Sequence, residues 1–226
     1  QNDINKVSPQ AARNRLKVWR GALDVAQAKG WIKENPARAV KLPKAKSKPH
    51  RAWTAEDVAR FRERWPLGTQ QRLALELLYW TGARRGDLVH LGPRNVWNGR
   101  MIWDQSKTGL QANVKITTGL AEALASAGEC ETYLQTRSGE ARTVRGFGKW
   151  FATACEAAGV SARAHGMRHT IGTEAAEEGM SAHQIGALLG HDGATEAQTY
   201  TQQTNRRRLS DDAVEALERV RLETPP

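Results

Sequence analysis

Arg84, Lys107, His165, Arg168, His191 and Tyr200 occur in that order, and together they can break a phosphodiester bond without a metal ion. Attack on a phosphate diester builds negative charge on its non-bridging oxygens. Paired metals held by carboxylates are one answer to that charge, but the sequence has no dense Asp/Glu/His cluster. Arginine is another, because its planar fork matches phosphate bidentately and stays charged near neutral pH. Arg84 and Arg168 can clamp a phosphate from two sides, each such donor contributing about 3 kcal/mol to a transition state. Tyr200 is the candidate nucleophile; with a free pKa of roughly 10 a phenol needs a neighbouring base or cation. His165 can take its proton, and Lys107 can protonate the departing sugar oxygen. His191 can either hydrogen-bond the phosphate or orient the tyrosine.

The surroundings of these residues sharpen the reading. Arg84 lies in Thr81-Gly82-Ala83-Arg84-Arg85-Gly86-Asp87-Leu88, and Lys107 in Gln105-Ser106-Lys107-Thr108-Gly109, between extended runs at Met101–Asp104 and Val114–Thr117. His165 and Arg168 share His165-Gly166-Met167-Arg168-His169; His191 closes Leu188-Leu189-Gly190-His191, nine positions before Tyr200. Taken singly, each has a plainer reading: a solvated helix end for Arg84, a surface lysine in a turn, a packed aromatic. Arg85 keeps that plain reading. His165 and His169 stand at the i, i+4 spacing of a zinc pair, but Gly166 fills the place where the zinc-protease pattern needs Glu, and no third ligand follows. No metal or other cofactor is expected, and His169 is expected to pack or touch backbone near Arg168.

The ordered set resembles the tyrosine recombinases, the phage integrase family. The motifs span Thr81 to Tyr200, and a weaker likeness covers nearly the whole chain. The resemblance implies a helix end presenting Arg84, a supporting acidic residue at Asp87, a catalytic lysine on a β-hairpin at Lys107, and His191 where some members carry Trp. It implies a mainly α fold with a small β-sheet or hairpin (α+β). Residues 1–40 would be the C-terminal part of a helical core-binding domain, 41–52 a basic linker, and 53–226 the catalytic domain with a terminal helix at 206–224. The implied activity is site-specific recombination at a DNA site through a 3′-phosphotyrosyl link, needing neither metal nor ATP, for integration or excision of a phage or mobile element. The implied assembly is a dimer on each site and a tetramer in synapse, with the terminal helix docked on the neighbouring protomer. Accessory DNA-bending or directionality proteins are further expected partners. A type IB topoisomerase with similar chemistry, or a non-catalytic DNA-binding regulator, are the alternatives. The resemblance also places earlier core-binding helices, and an arm-binding domain in some members, ahead of Gln1.

Charge supports a nucleic-acid partner. The 226 residues carry a formal net charge of +10. Residues 1–51 hold 13 of the 34 Lys/Arg and 3 of the 24 Asp/Glu, so the entire excess lies in the first quarter and the remainder is balanced. Such asymmetry suits an electrostatic arm or clamp. Lys41, Lys44, Lys46, Lys48 and Arg51, interrupted by Pro43 and Pro49, are the candidate backbone contacts; a solvated flexible linker is compatible with the same residues. No apolar run of about 18 residues exists to span a membrane, and no signal peptide is visible. Cys130 and Cys155 read as reduced structural thiols of a cytoplasmic protein.

The elements that must position the set are mostly helical. Ser8-Pro9 starts a helix with Leu16, Trp19 and Leu23 on one face, ending at Gly30. Thr54 caps a helix through Val58 and Phe61, and Leu73, Leu77 and Leu78 lead into Arg84. Helices follow around Leu120–Ala127 and Phe147–Ala158, then from Arg168 through Ile171 and Ala175 to Gly179. Ser181 to Gln184 reads as a capping box ahead of the Ile185, Leu188, Leu189 stripe that delivers His191. Leu209, Ala213, Leu217 and Val220 mark an amphipathic tail. His183 reads as exposed, His50 and His90 lack a motif, and most of the eight tryptophans are expected to pack in cores.

Overall fold

The computed structural model describes residues 7–42, 51–190 and 194–223, the last stretch partly as backbone only. The chain divides into two units, Gln1–Pro49 and His50–Pro226.

In the first unit Ser8 caps helix α1 (Pro9–Ala28), accepting from the Ala11 amide. Asn35 opens a 3-10 turn at Pro36–Arg38 and donates to Arg20 O and Asp24 Oδ1. Arg20 donates to Ala37 O at 3.0 Å and Val40 O at 2.8 Å, so the segment after the helix is folded back on it. Ala12, Leu16 and Ala37 are buried, with Leu23 packed beside them. Trp19, expected on the same face, is instead exposed.

The second unit is built mainly of helices around one apolar core. Thr54 and Asp57 form a reciprocal capping box at α2 (Ala55–Arg64). Phe61 then meets Trp53 and Phe151, with ring centroids 5.7 and 5.4 Å apart. Helix α3 (Gln70–Thr81) buries Leu73, Leu75, Leu77 and Leu78 and stops at Gly82 in the left-handed region. A single turn, α4 (Arg85–Leu88), follows. The antiparallel sheet is β1 (Val96–Trp97), β2 (Arg100–Asp104) and β3 (Gln111–Lys115), in that order. Then come α5 (Thr118–Ala125), α6 (Val144–Ala157), α7 (Ala164–Glu177), α8 (Ala182–Leu189) and α9 (Ala194–Glu223).

Mainly helical with one small sheet is the expected class, and three local expectations need correction. The second extended run is Gln111–Lys115, not Val114–Thr117. Pairing of Asp104 with Gln111 carries the ladder to the turn, while the Thr117 hydroxyl is used to cap α5. Strand β1 adds to the expected elements; it joins β2 through Asn98-Gly99, both at positive φ, the geometry two-residue hairpins favour. Helix α7 begins at Ala164, so His165 is already helical. The tail is not a separate helix: residues 206–223 continue the helix that carries Tyr200. Five tryptophans pack against the core, while Trp19, Trp31 and Trp97 are exposed. Both cysteines are free, and burial pushes their thiols up, that of Cys155 to about 12. Among the described residues no helix is long and apolar enough to cross a membrane.

Candidate active site

Two helix ends meet at two arginines. The last carbonyls of a helix lack intrahelical partners and form the negative pole of its dipole, so they attract cations. Arg168, only 6% exposed, donates from Nη1 to Gly82 O at the end of α3 and from Nη2 to Leu189 O at the end of α8, the latter at 2.7 Å. Arg84, half-buried at the start of α4, donates from Nη2 to Gly190 O at 3.0 Å and from Nη1 to Gln105 Oε1. The two guanidiniums therefore hold consecutive carbonyls, Leu189 and Gly190. The following residue, His191, lies outside the described residues, as do Lys44, Lys46 and Lys48.

Gly190 is required here twice over. Its φ of 62° is left-handed, which glycine adopts most readily. A Cβ on it would also fall onto the Gln105 carboxamide. Gln105 leads into the turn between β2 and β3: its amide donates to Leu110 O at 2.9 Å, and its carbonyl accepts from Gly109 N at 2.8 Å. Lys107 stands exposed within that turn. Asp87 holds the preceding residue, accepting from Ser106 N at 2.9 Å and Ser106 Oγ at 2.6 Å. The turn that carries Lys107 is thus pinned to α4, whose first position follows Arg84.

Helix α7 spaces His165, Arg168, His169 and Gly172 along one side at i, i+3, i+4 and i+7. Tyr200 lies over the far end of that row. A Cβ on Gly172 would sit 2.9 Å from Cε1 and Cζ of its ring. His169 meets the ring edge-to-face at 5.6 Å, and its Nδ1 is 3.1 Å from Thr173 Oγ1. His169 thus packs against the Tyr200 ring and the Thr173 hydroxyl, one of the two roles expected of it. His165 is exposed in the first turn of α7.

The contacts thus gather Arg84, Arg168, Gln105 and Gly190, pin Lys107 through Asp87 and Ser106, and seat Tyr200 on α7 beside His169. Arg51 is tied into the second unit by Ser161 Oγ and, at 3.1 Å, the Asp57 carboxylate. Lys41 is exposed in the first unit. Sequence reasoning missed Gln105, Ser106, Gly172 and Gly190 as site residues. The three glycine-or-glutamine positions were visible inside or beside the quoted motifs, but their tasks depend on inter-helix distances that spacing does not carry.

The phage integrase family model matches residues 23–207. The chain belongs to the phage integrase family. Tyrosine recombinase XerC of Proteus mirabilis is 25% identical over 210 residues, covering 86% of this chain and 68% of that protein. Tyrosine recombinase XerD of Mycobacterium tuberculosis is 28% identical over 219 residues, covering 86% and 70%. Among solved structures, a lambda integrase (75–356) dimer bound to a COC′ core site superposes with a TM-score of 0.72 at 26% identity, covering 85% of this chain and 73% of that one. The Tn1549 transposon integrase shares the fold at 16% identity, with a TM-score of 0.71. As a phage-integrase-family enzyme, the protein is a tyrosine-type site-specific DNA recombinase.

Proposed function

We propose that this recombinase cuts and rejoins DNA through Tyr200. The tyrosine Oη attacks the scissile phosphorus, forming a 3′-phosphotyrosyl ester as the bond from phosphorus to the 5′ oxygen breaks. His165 takes the phenolic proton, and Lys107 gives one to the departing 5′ oxygen, which leaves as a hydroxyl. A 5′ hydroxyl of a partner duplex then attacks the ester and releases Tyr200. One ester replaces another at each step, so the chemistry itself calls for neither ATP nor a metal. Arg84 and Arg168 stabilise the charge on the non-bridging oxygens, His191 hydrogen-bonds the phosphate or orients the tyrosine, and Asp87 steadies the Lys107 turn.

The observation that carries this reading is the grip of both arginines on the consecutive carbonyls of Leu189 and Gly190. It supports an anion site at two fixed cations, at the helix end that precedes His191 in sequence. The duplex is the partner, contacted along its backbone by Lys41, Lys44, Lys46, Lys48 and Arg51. Residues 1–40 act as part of a core-binding domain, joined by 41–52 to the catalytic domain 53–226. Protomers pair on each site and assemble four together in synapse, as lambda integrase does on a Holliday junction. Exposed Val214, Leu217 and Leu222 on α9 supply an apolar contact for the neighbouring protomer. Integration or excision of a phage or mobile element is the biological role, with DNA-bending or directionality proteins as partners.

The test uses a nicked duplex whose recombination site has been recovered by selecting bound sequences from a random pool. A denaturant-resistant protein–DNA adduct that forms in EDTA and is lost in Tyr200→Phe is expected. Tight binding without any adduct from the assembled wild-type protein would defeat the reading.

A further inference from the structure

We infer that Gln105 is a positioning residue of this centre: it sets the plane of the Arg84 guanidinium and links that plane to the turn that carries Lys107. This rests on the phosphoryl-transfer reading above. Gln105 is 3% exposed, and its side chain lies between two parts of the site. Oε1 accepts from Arg84 Nη1, and Nε2 lies against Gly190, whose missing Cβ makes the room. The amide orientation is fixed by chemistry, because a guanidinium can only donate. Its main chain performs the second task. The amide donates to Leu110 O, and the carbonyl accepts from Gly109 N and, at 3.3 Å, Thr108 N, which closes the loop around Lys107.

The choice of a carboxamide is informative. A planar guanidinium held at Nη1 by Gln105 and at Nη2 by Gly190 O is oriented by two acceptors on different elements. Arginine has five N–H donors, and these bonds use one on each Nη. Donors thus remain for a bidentate phosphate contact. A carboxylate at position 105 would orient Arg84 equally well but would cancel its charge and face the phosphate with a like charge. Glutamine orients without neutralising. Because one buried residue serves as reference for both Arg84 and the Lys107 turn, displacing it should disturb charge stabilisation and leaving-group protonation together.

The test compares wild type, Gln105→Met and Gln105→Glu in single-turnover cleavage of the selected duplex. Methionine keeps the length and loses the acceptor; glutamate keeps the acceptor and adds charge. Three scissile linkages are used: the native phosphate, a methylphosphonate lacking one charged oxygen, and a 5′-bridging phosphorothiolate whose sulfur leaves without a proton. Q105M is expected to bind DNA as wild type does and to cleave the native linkage about 10²-fold more slowly, the scale of a misplaced reacting group. At least half of that defect, on a logarithmic scale, should vanish on the methylphosphonate and again on the thiolate. Q105E should match wild type in melting temperature yet cleave the native linkage no faster than Q105M. Ratios between linkages within one variant do not depend on the fraction of folded protein. Equal defects on all three linkages would mean a structural role only and overturn the proposal, as would wild-type cleavage by Q105M. Relief on the methylphosphonate alone would overturn the Lys107 half. A wild-type protein that forms no adduct would bring down the underlying reading instead.

Discussion

Arg84 and Arg168 hold adjacent carbonyls of one helix end, Gly190 O at 3.0 Å and Leu189 O at 2.7 Å, although they are 84 positions apart in sequence. They should nonetheless respond differently to substitution. Arg84 is half-buried and Arg168 almost wholly buried, with Arg168 also closing the end of α3 through Gly82 O. Arg84→Ala is expected to cut single-turnover cleavage by about 10²–10³-fold with the smaller fall in melting temperature, because water entering beside this half-buried side chain can replace it at Gly190 O and Gln105 Oε1. Arg168→Ala should lower both, because two buried carbonyls lose their donor at about 1–3 kcal/mol each. Combining the two should cost cleavage less than the sum, since both serve one site. Additive losses would show that the arginines act on separate groups.

Gly172→Ala tests the seat of Tyr200. The added methyl would stand 2.9 Å from the ring, so the ring must shift on α7. Alanine also favours helix over glycine by about 1 kcal/mol, so the variant is not expected to unfold. Adduct formation should fall by about tenfold or more, while DNA affinity stays unchanged. Wild-type cleavage by this variant would separate the ring position in the described state from the chemistry.

Glu76 offers a stability prediction apart from the chemistry. Its carboxylate is buried and accepts from Arg62 Nε at 2.9 Å, Arg72 Nε at 2.6 Å and Trp80 Nε1 at 2.8 Å. Removing the anion of such a group leaves cations without compensation, at about 3–5 kcal/mol. Glu76→Ala should therefore lower the denaturant midpoint with the slope unchanged. Glu76→Gln should lose part of that, because an amide still accepts. If alanine leaves the midpoint where it was, the network is not contributing.

Much of this was legible beforehand, and the limits are physical. Thr54 and Ser181 act locally, within three residues, so their caps could be read from spacing. Asn98-Gly99 is an equally local hairpin signal. By contrast, Gln105 reaches Arg84 across 21 positions, and Tyr200 rests on Gly172 across 28. No periodicity encodes such pairs, because they depend on how helices cross. The tail follows the same rule. Its apolar stripe has helical period, but nothing in the sequence from Ala194 to Arg208 marks a break between Tyr200 and that stripe.

Salt dependence tests the basic segment. Each phosphate neutralised by a lysine releases counterions and adds about 0.9 to the slope of log affinity against log salt. Replacing Lys41, Lys44, Lys46 and Lys48 with glutamine should lower that slope by about 0.9 for each lysine in contact. Affinity should fall alike for the selected site and for unrelated duplexes, since backbone contacts carry no sequence information. A loss confined to the selected site would point to base readout, and an unchanged slope to a linker that does not touch the duplex.

The continuity of α9 makes the last prediction specific. Tyr200 and the exposed Val214 and Leu217 share one helix, at 1.5 Å per residue. A partner that grips Leu217 therefore holds the same rod as the nucleophile, about 25 Å away. Leu217→Glu puts a charge on a surface exposed in the single chain, so the melting temperature should not change. Binding of one protomer to a half-site should also be unaffected. What should fall is the pairing of protomers on a full site and, with it, cleavage, which gel mobility and adduct yield read separately. If pairing is lost while cleavage by each protomer persists, α9 assembles the complex without gating Tyr200. If neither changes, the apolar face of α9 is not the contact between protomers.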